Sequence, residues 1–273
     1  MILAKVTFGS TRGKNRNDLE DAIETYLASL FKGGQICGER FLTLTKGKLN
    51  AHVLLAAPAA MSVRFHTDWG KKNLTKVTNL FGEEPVWEIL DDDLGKTSSK
   101  WKGAPFLYLF TTWVDWYSPL CRGDEKRPVP LFSLPVSDQV KEDLYGWQKD
   151  YRDLDRVWMA SGPVEMPAYR QLADPRSNLS EKGRGLCQEI ENATGVPTFY
   201  YLMRYWGKAK GEDERVCSGC GEFWRTSVWE HERTFREFHF KCESCRLVSH
   251  LGTSPDGRHA RIGEFIPKMR RIS

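Results

Sequence analysis

Four of the seven cysteines carry the clearest chemistry in this 273-residue chain: Cys217-Ser218-Gly219-Cys220 and Cys242-Glu243-Ser244-Cys245. The pattern is C-x2-C, twenty-one residues, C-x2-C. Two intervening residues let both sulfurs of a pair reach one ion while the N–H groups of the turn stay free to hydrogen-bond them. Two such knuckles complete the tetrahedral four-thiolate shell of structural zinc, and a closed shell leaves no open position for catalysis. Gly219 and Gly221 suit the positive φ such turns often need, and the alternation of Phe238, Phe240 and Cys242 predicts a strand entering the second knuckle. A thioredoxin-like redox pair or four buried thiols is the plainer alternative, and iron could use the same sulfurs. His231 and His239, between the knuckles, are expected to face solvent rather than bind metal.

The partner of such a module is read from its charge and aromatic content. Between Cys217 and Cys245 stand Arg225, Arg233, Arg236 and Lys241 against five glutamates, so the segment is not basic. It carries Phe223, Trp224, Trp229 and Phe235, and aromatics interleaved with arginine can stack on unpaired bases. They can equally dock the module on the rest of the chain or on a protein partner. From Arg246 onward there are six basic residues and two acidic ones, which accounts for the whole net charge of +4. The candidate nucleic-acid or partner contacts are therefore Trp224, Arg225, Trp229, Arg233 and Arg236, with Arg258, Arg261, Lys268, Arg270 and Arg271 in the tail.

Other chemistry is absent from the motifs. The sequence has no GxSxG, P-loop, HExxH or dinucleotide fingerprint, and a non-enzymatic protein is expected. Cys37, Cys121 and Cys187 have no histidine beside them and read as small buried residues. Asp91-Asp92-Asp93 reads as a solvated turn.

The elements that must position the cysteines follow from periodicity. Residues 1–57 read as strand, helix, strand, strand, with Asn17 as the helix cap, Leu19 to Phe31 at helical spacing and Gly33-Gly34 as the stop. A helix is expected over Trp69 to Phe81 and a strand over Val86 to Leu90, and Phe106 to Trp113 is aromatic and β-rich. Ser137 caps the clearest helix, whose seam is Val140, Leu144, Trp147, Tyr151, Leu154 and Trp158. A further helix carries Leu179, Gly183, Leu186, Cys187 and Ile190 on one face, and Thr198 to Trp206 reads as a strand. The polar run Lys208 to Arg215 is the natural boundary. The expected fold is α+β: a mixed domain over 1–210, a zinc ribbon over 211–252 and a basic tail over 253–273.

Hydrophobic residues make up 40% and charged residues 28%, the composition of a folded protein rather than a disordered one. The longest apolar stretch, Val53 to Met61, is far short of the roughly 20 residues a membrane span needs. The N-terminus lacks the layout of a secretory signal, and an odd cysteine count suits reduced thiols plus one metal site. A cytoplasmic location is expected.

The stretch LADPRSNLSEKGRGLCQEIENATGVPTFYYLMRYW, the knuckle CSGCGEFW and the closing FHFKCESCRLVSHL resemble a proteobacterial family of uncharacterised zinc-ribbon proteins described as candidate nucleic-acid binders. The resemblance implies zinc on Cys217, Cys220, Cys242 and Cys245, and suggests nucleic acid as the partner. The alternative is a protein-binding module, such as an immunity protein that neutralises a toxin, for which a neutral, aromatic-rich surface suits a protein better than phosphate.

Overall fold

The structure, a computed structural model, describes residues 1–92, 94–95, 97–226 and 238–267. Its contacts group into two compact units, Met1–Ala104 with Asp115–Gly146, and Pro105–Val114 with Trp147–Ser273. The sequence placed its boundary at 210–211. Within the polar run there, residues 208–211, Asp213 and Glu214 are exposed, while Glu212 and Arg215 are buried.

The first unit is built from β1 (Ile2–Ser10), α1 (Arg16–Lys32), β2 (Ile36–Thr45), β3 (Lys48–Leu55), α2 (Asp68–Phe81) and β4 (Val86–Asp91). The strands lie in the order β2-β3-β1-β4 with every pair antiparallel, the β-α-β-β-α-β ferredoxin-like arrangement. Alternation decides which face is covered. Ile2, Ala4, Val6 and Phe8 of β1 and Leu49, Ala51, Val53 and Leu55 of β3 form one core with Leu19, Ile23, Tyr26, Leu27 and Leu30 of α1 and Val77 and Phe81 of α2. The cap of α1 is Asn15, whose side chain accepts from the Asn17 N–H, rather than Asn17 itself. Thr67 caps α2 by accepting from the Gly70 N–H, and the helix ends at Gly82 with φ +80°. A short strand, β6 (Leu120–Arg122), turns back on itself through Arg122 N–H to Arg127 O and Val129 N–H to Leu120 O.

The second unit carries β5 (Leu107–Leu109), α4 (Glu165–Ala173), α5 (Asn178–Thr194), β7 (Thr198–Leu202), β8 (Trp206–Gly207), β9 (Phe240–Cys242), β10 (Leu247–Ser249) and β11 (Ser254–Pro255). The long helix α3 (Asp138–Met159) contributes its residues from Trp147 onward. Its start is capped as expected, with the Val140 N–H donating to Ser137 Oγ. Strands run in the order β5-β7-β10-β9, with β5 and β10 parallel to β7 and β9 antiparallel to β10. The cysteine-bearing strand and its neighbour are thus continuous with the sheet of the preceding residues and not a free-standing ribbon. Trp147 and Tyr151 of the α3 seam are fully buried, and Trp147 Nε1 donates to Leu179 O of α5 at 3.1 Å. Gly183 lets α5 lie against the sheet: a Cβ there would come within 2.4 Å of Tyr200 Cε2 and 2.7 Å of Trp147 Nε1.

Residues 253–262, expected to begin a basic tail, pack into this unit. Ser254 and Pro255 pair with Trp206 and Gly207, and Arg204 Nη1 donates to Ala260 O at 2.7 Å and Ile262 O at 3.0 Å. No helix among the described residues is long and apolar enough to cross a membrane.

Candidate metal centre

The four sulfurs of Cys217, Cys220, Cys242 and Cys245 lie within 4.8 Å of one another. Cys220 Sγ and Cys242 Sγ, from different knuckles, stand 3.7 Å apart. A tetrahedron with metal–sulfur bonds of 2.3 Å has an edge of about 3.8 Å, so this separation is that of two ligands on one ion. The first knuckle is shaped by the Cys217 N–H donating to Glu222 O and the Gly221 N–H to Cys217 O, each at 2.8 Å. Amides also point at sulfur: Gly219 N–H reaches Cys217 Sγ and Cys245 N–H reaches Cys242 Sγ, both at 3.4 Å. Gly221 takes a φ of +79°, as expected. Gly219 does not adopt a positive φ, and its reason is space: a Cβ would sit 2.8 Å from Cys245 Sγ.

As thiols the four do not ionise alike. Burial pushes Cys217 up, and burial with the Cys220 contact raises Cys245 to about 11. Burial opposes ionisation of Cys220 too, but the Glu222 backbone and the neighbouring cysteines outweigh it and draw its pKa down to about 7. Softness of sulfur, a closed set of four and a tetrahedral edge length fit a structural metal ion rather than a catalytic one.

The second knuckle is tied to α5. Arg246, at φ +50°, directs its guanidinium to both oxygens of Glu191, Nε to Oε2 at 3.0 Å and Nη2 to Oε1 at 2.9 Å. Its carbonyl accepts from the Tyr200 N–H at 2.8 Å. The first knuckle is preceded by a buried charge group that sequence reasoning missed. Arg204 makes a two-pronged pair with Glu212, Nε to Oε1 at 2.9 Å and Nη2 to Oε2 at 3.0 Å. Arg215 lies 3.5 Å from the same carboxylate and donates to Ser249 Oγ and His250 O. Burial and the neighbouring Arg204 pull Arg215 down to about 9, with Glu212 pulling the other way. Burial works against ionisation of Glu212, yet the contacts from Arg204 hold it below the usual carboxylate range. His250, fully enclosed, accepts from the Arg204 N–H through Nε2 and contacts Leu251 O through Nδ1, and burial lowers its pKa to about 3. No motif marks these residues, since a charge in a polar run looks the same in sequence whether buried or solvated.

The other candidates fare unevenly. Trp224 is buried, its Nε1 donating to Arg215 O at 2.7 Å and its ring packed against Phe240 and under the Arg215 guanidinium. That enclosure leaves it no face for a base, and of the roles open to these aromatics it takes packing within the chain. Arg225 places its guanidinium 5.4 Å from the Phe240 ring. His239, expected at the surface, is buried and accepts from the Leu251 N–H. Arg258 and Arg261 are exposed around the single 3-10 turn His259–Arg261. Trp229, Arg233, Arg236, Lys268, Arg270, Arg271, His231 and Asp93 lie outside the described residues. Cys37, Cys121 and Cys187 are buried, as expected of structural thiols.

Three family models match the chain, each a domain of unknown function: DUF8589 over residues 1–91, DUF2310 over 102–203 and DUF8594 over 207–254. Two uncharacterised proteins of Haemophilus influenzae are 35% and 34% identical over 168 residues, 60% of this chain. The match spans 63% of the length of the first and 81% of the second. Among solved structures, the crystal structure of an antibiotic biosynthesis monooxygenase matches 34% of this chain and 100% of its own, at 10% identity and a TM-score of 0.26, too low to carry an argument.

Proposed function

The chain belongs to the family of these uncharacterised Haemophilus influenzae proteins, and from that premise we propose that its four cysteines hold one structural zinc ion that staples a recognition protein rather than an enzyme. The observation that carries the reading is the 3.7 Å separation of Cys220 and Cys242 sulfurs across the two knuckles. Charge balance supports it. Arg204 and Arg215 are buried with one carboxylate, Glu212, which leaves an excess positive charge two residues from Cys217. An uncompensated interior charge costs several kcal/mol, whereas four thiolates around a divalent ion carry two negative charges that offset it. Zinc would contribute folding free energy here and no reactive step, because the cysteines close its shell. Substituting Cys242→Ser should drop bound zinc from one equivalent per chain to a small fraction, and full retention of metal would overturn the ligand assignment.

The partner best supported is a protein. Trp224 is enclosed, the body of the chain is neutral, and Phe223 beside the first knuckle is 75% exposed. Nucleic acid is the second reading, favoured by exposed Arg258 and Arg261. Titration with single- and double-stranded DNA and RNA at about 50 mM salt, where phosphate contacts are strongest, separates the two. The protein reading expects no binding. Saturable binding whose salt slope falls by about one unit for each arginine replaced by glutamine would establish the nucleic-acid reading instead.

A further inference from the structure

The hairpin joining β2 to β3 carries a charge that its turn does not need. Lys46 and Gly47 both take positive φ, +49° and +76°, the two-residue turn that favours Asn-Gly. Side chains other than those of asparagine and aspartate are uncommon in that region, and here the lysine brings a cation to a cluster. Lys48 stands beside Ser10 of β1, and the Thr11 N–H donates to Gly47 O at 3.1 Å, which brings Arg12 to the same end. Arg12, Lys46 and Lys48 are exposed, and no carboxylate pairs with them among the described residues. Lys14 donates to Phe81 O and keeps its charge. Of the acidic residues nearest in the fold, Glu20 is held by Arg16, Asp18 stands in the first turn of α1, and Glu83 and Glu84 precede β4, beyond β3 and β1.

These cations border an open edge. Strand β2 is outermost in its sheet, and among the described residues nothing hydrogen-bonds to the outer side of Phe41–Thr45. The turn closes on the pair Thr45 and Lys48, so hydrogen-bonded and open pairs alternate from there, and the N–H and C=O of Leu42 and Leu44 point outward. Apolar side chains stay uncovered on both faces: Leu44, 47% exposed, beside Leu49 on the helix-covered face, and Phe41, 64% exposed, on the other. One further strand would satisfy those backbone groups and cover both side chains. Glu39 sits at the far end, in the irregular stretch between Cys37 and Phe41, so the edge is positive only at the hairpin.

We propose that the β2 edge receives an extended segment of a partner protein, added antiparallel, whose N-terminal residues are acidic and lie against Arg12, Lys46 and Lys48. Main-chain hydrogen bonds supply the affinity of such an added strand, and the cations set its register and direction. The proposal deepens the protein-partner reading by giving that partner a surface on the first unit. Lysines on an edge can also serve only to prevent self-pairing, and the test separates the two roles.

The full chain is titrated with an acetylated synthetic peptide of alternating valine and threonine, about eight residues long, that begins with a pair of glutamates, and with a version that begins with a pair of lysines. Amide chemical shifts of residues 41–48 report binding. Saturable shifts are expected with the glutamate peptide and none with the lysine peptide. Leu44→Pro removes an outward N–H without breaking a bond to β3 and should abolish binding, whereas Leu44→Ala, which keeps that N–H, should still bind. Lys46→Glu combined with Lys48→Glu should weaken the glutamate peptide about tenfold and admit the lysine peptide, an exchange that misfolding cannot produce. The proposal is overturned if the wild type gives no saturable response to the glutamate peptide, or if Leu44→Pro binds it as the wild type does. It is equally overturned if the chain is a dimer that Leu44→Pro converts to monomer, or if a single-stranded DNA oligonucleotide shifts the same amides and Leu44→Pro leaves that binding intact. Failure of the peptide without oligonucleotide binding removes the β2 edge and leaves the protein-partner reading standing.

Discussion

Single side chains in this protein are governed by what encloses them, and His66 is the plainest case. It is buried between Tyr26, whose Oη is 2.9 Å from Nε2, and Gln35, whose Nε2 is 3.2 Å from Nδ1. Burial lowers its pKa from 6.5 to about 4. In the unfolded chain the ring takes up its proton near 6.5, whereas the folded chain resists until about 4. Between those values the unfolded state binds more protons, so stability is complete above 6.5 and falls as pH drops toward 4, by up to about 1.4 kcal/mol per pH unit. Urea unfolding at pH 7 and pH 5 should therefore show a larger loss for the wild type than for His66→Gln, and equal losses would contradict the assignment. The cluster of four cysteines was legible because spacing alone dictates which sulfurs can share an ion. His239, Arg215 and Trp224 were not, since burial of a polar or amphipathic residue is decided by neighbours distant in sequence.

Helices with long apolar seams could be read directly, and short elements could not. The seams of α1, α3 and α5 span several turns, which is enough for a 3.6-residue period to stand out. Helix α4 escaped because it has nine residues, includes Pro167, and buries only Ala168, Tyr169, Leu172 and Ala173. The parallel pairing of β10 with β7 escaped for another reason: a three-residue strand whose partners stand 47 positions earlier leaves no pattern of its own. Helix α5 offers a test at this scale, through two glycines that look alike in sequence. Alanine at an exposed interior helix position should gain up to about 1 kcal/mol over glycine, and Gly185→Ala should show that gain. Gly183→Ala should instead lose about 1–3 kcal/mol, because its Cβ would press on Tyr200 and Trp147 in a filled core. Denaturant midpoints of both variants check the pair, and a stabilising Gly183→Ala would show that α5 does not sit as closely on β7 as described.

At the scale of the whole chain, composition indicated a folded, mixed α+β protein with no membrane-length helix, and left its division open. The polar run at 208–215 suggested a linker, but two of its charges are drawn inside: Glu212 pairs with Arg204 and lies 3.5 Å from Arg215, and Arg204 in turn holds the carbonyls of Ala260 and Ile262. The cysteine segment is thereby part of a larger sheet, and the metal's contribution would extend beyond the knuckles to β7 and β10 through their shared ladder. The whole reading rests on the identity of what the four sulfurs hold. Elemental analysis of the full chain, purified without added metal and without chelators, addresses it most directly. One equivalent of zinc per chain is the expected result, and a metal-free or iron-loaded protein would contradict it.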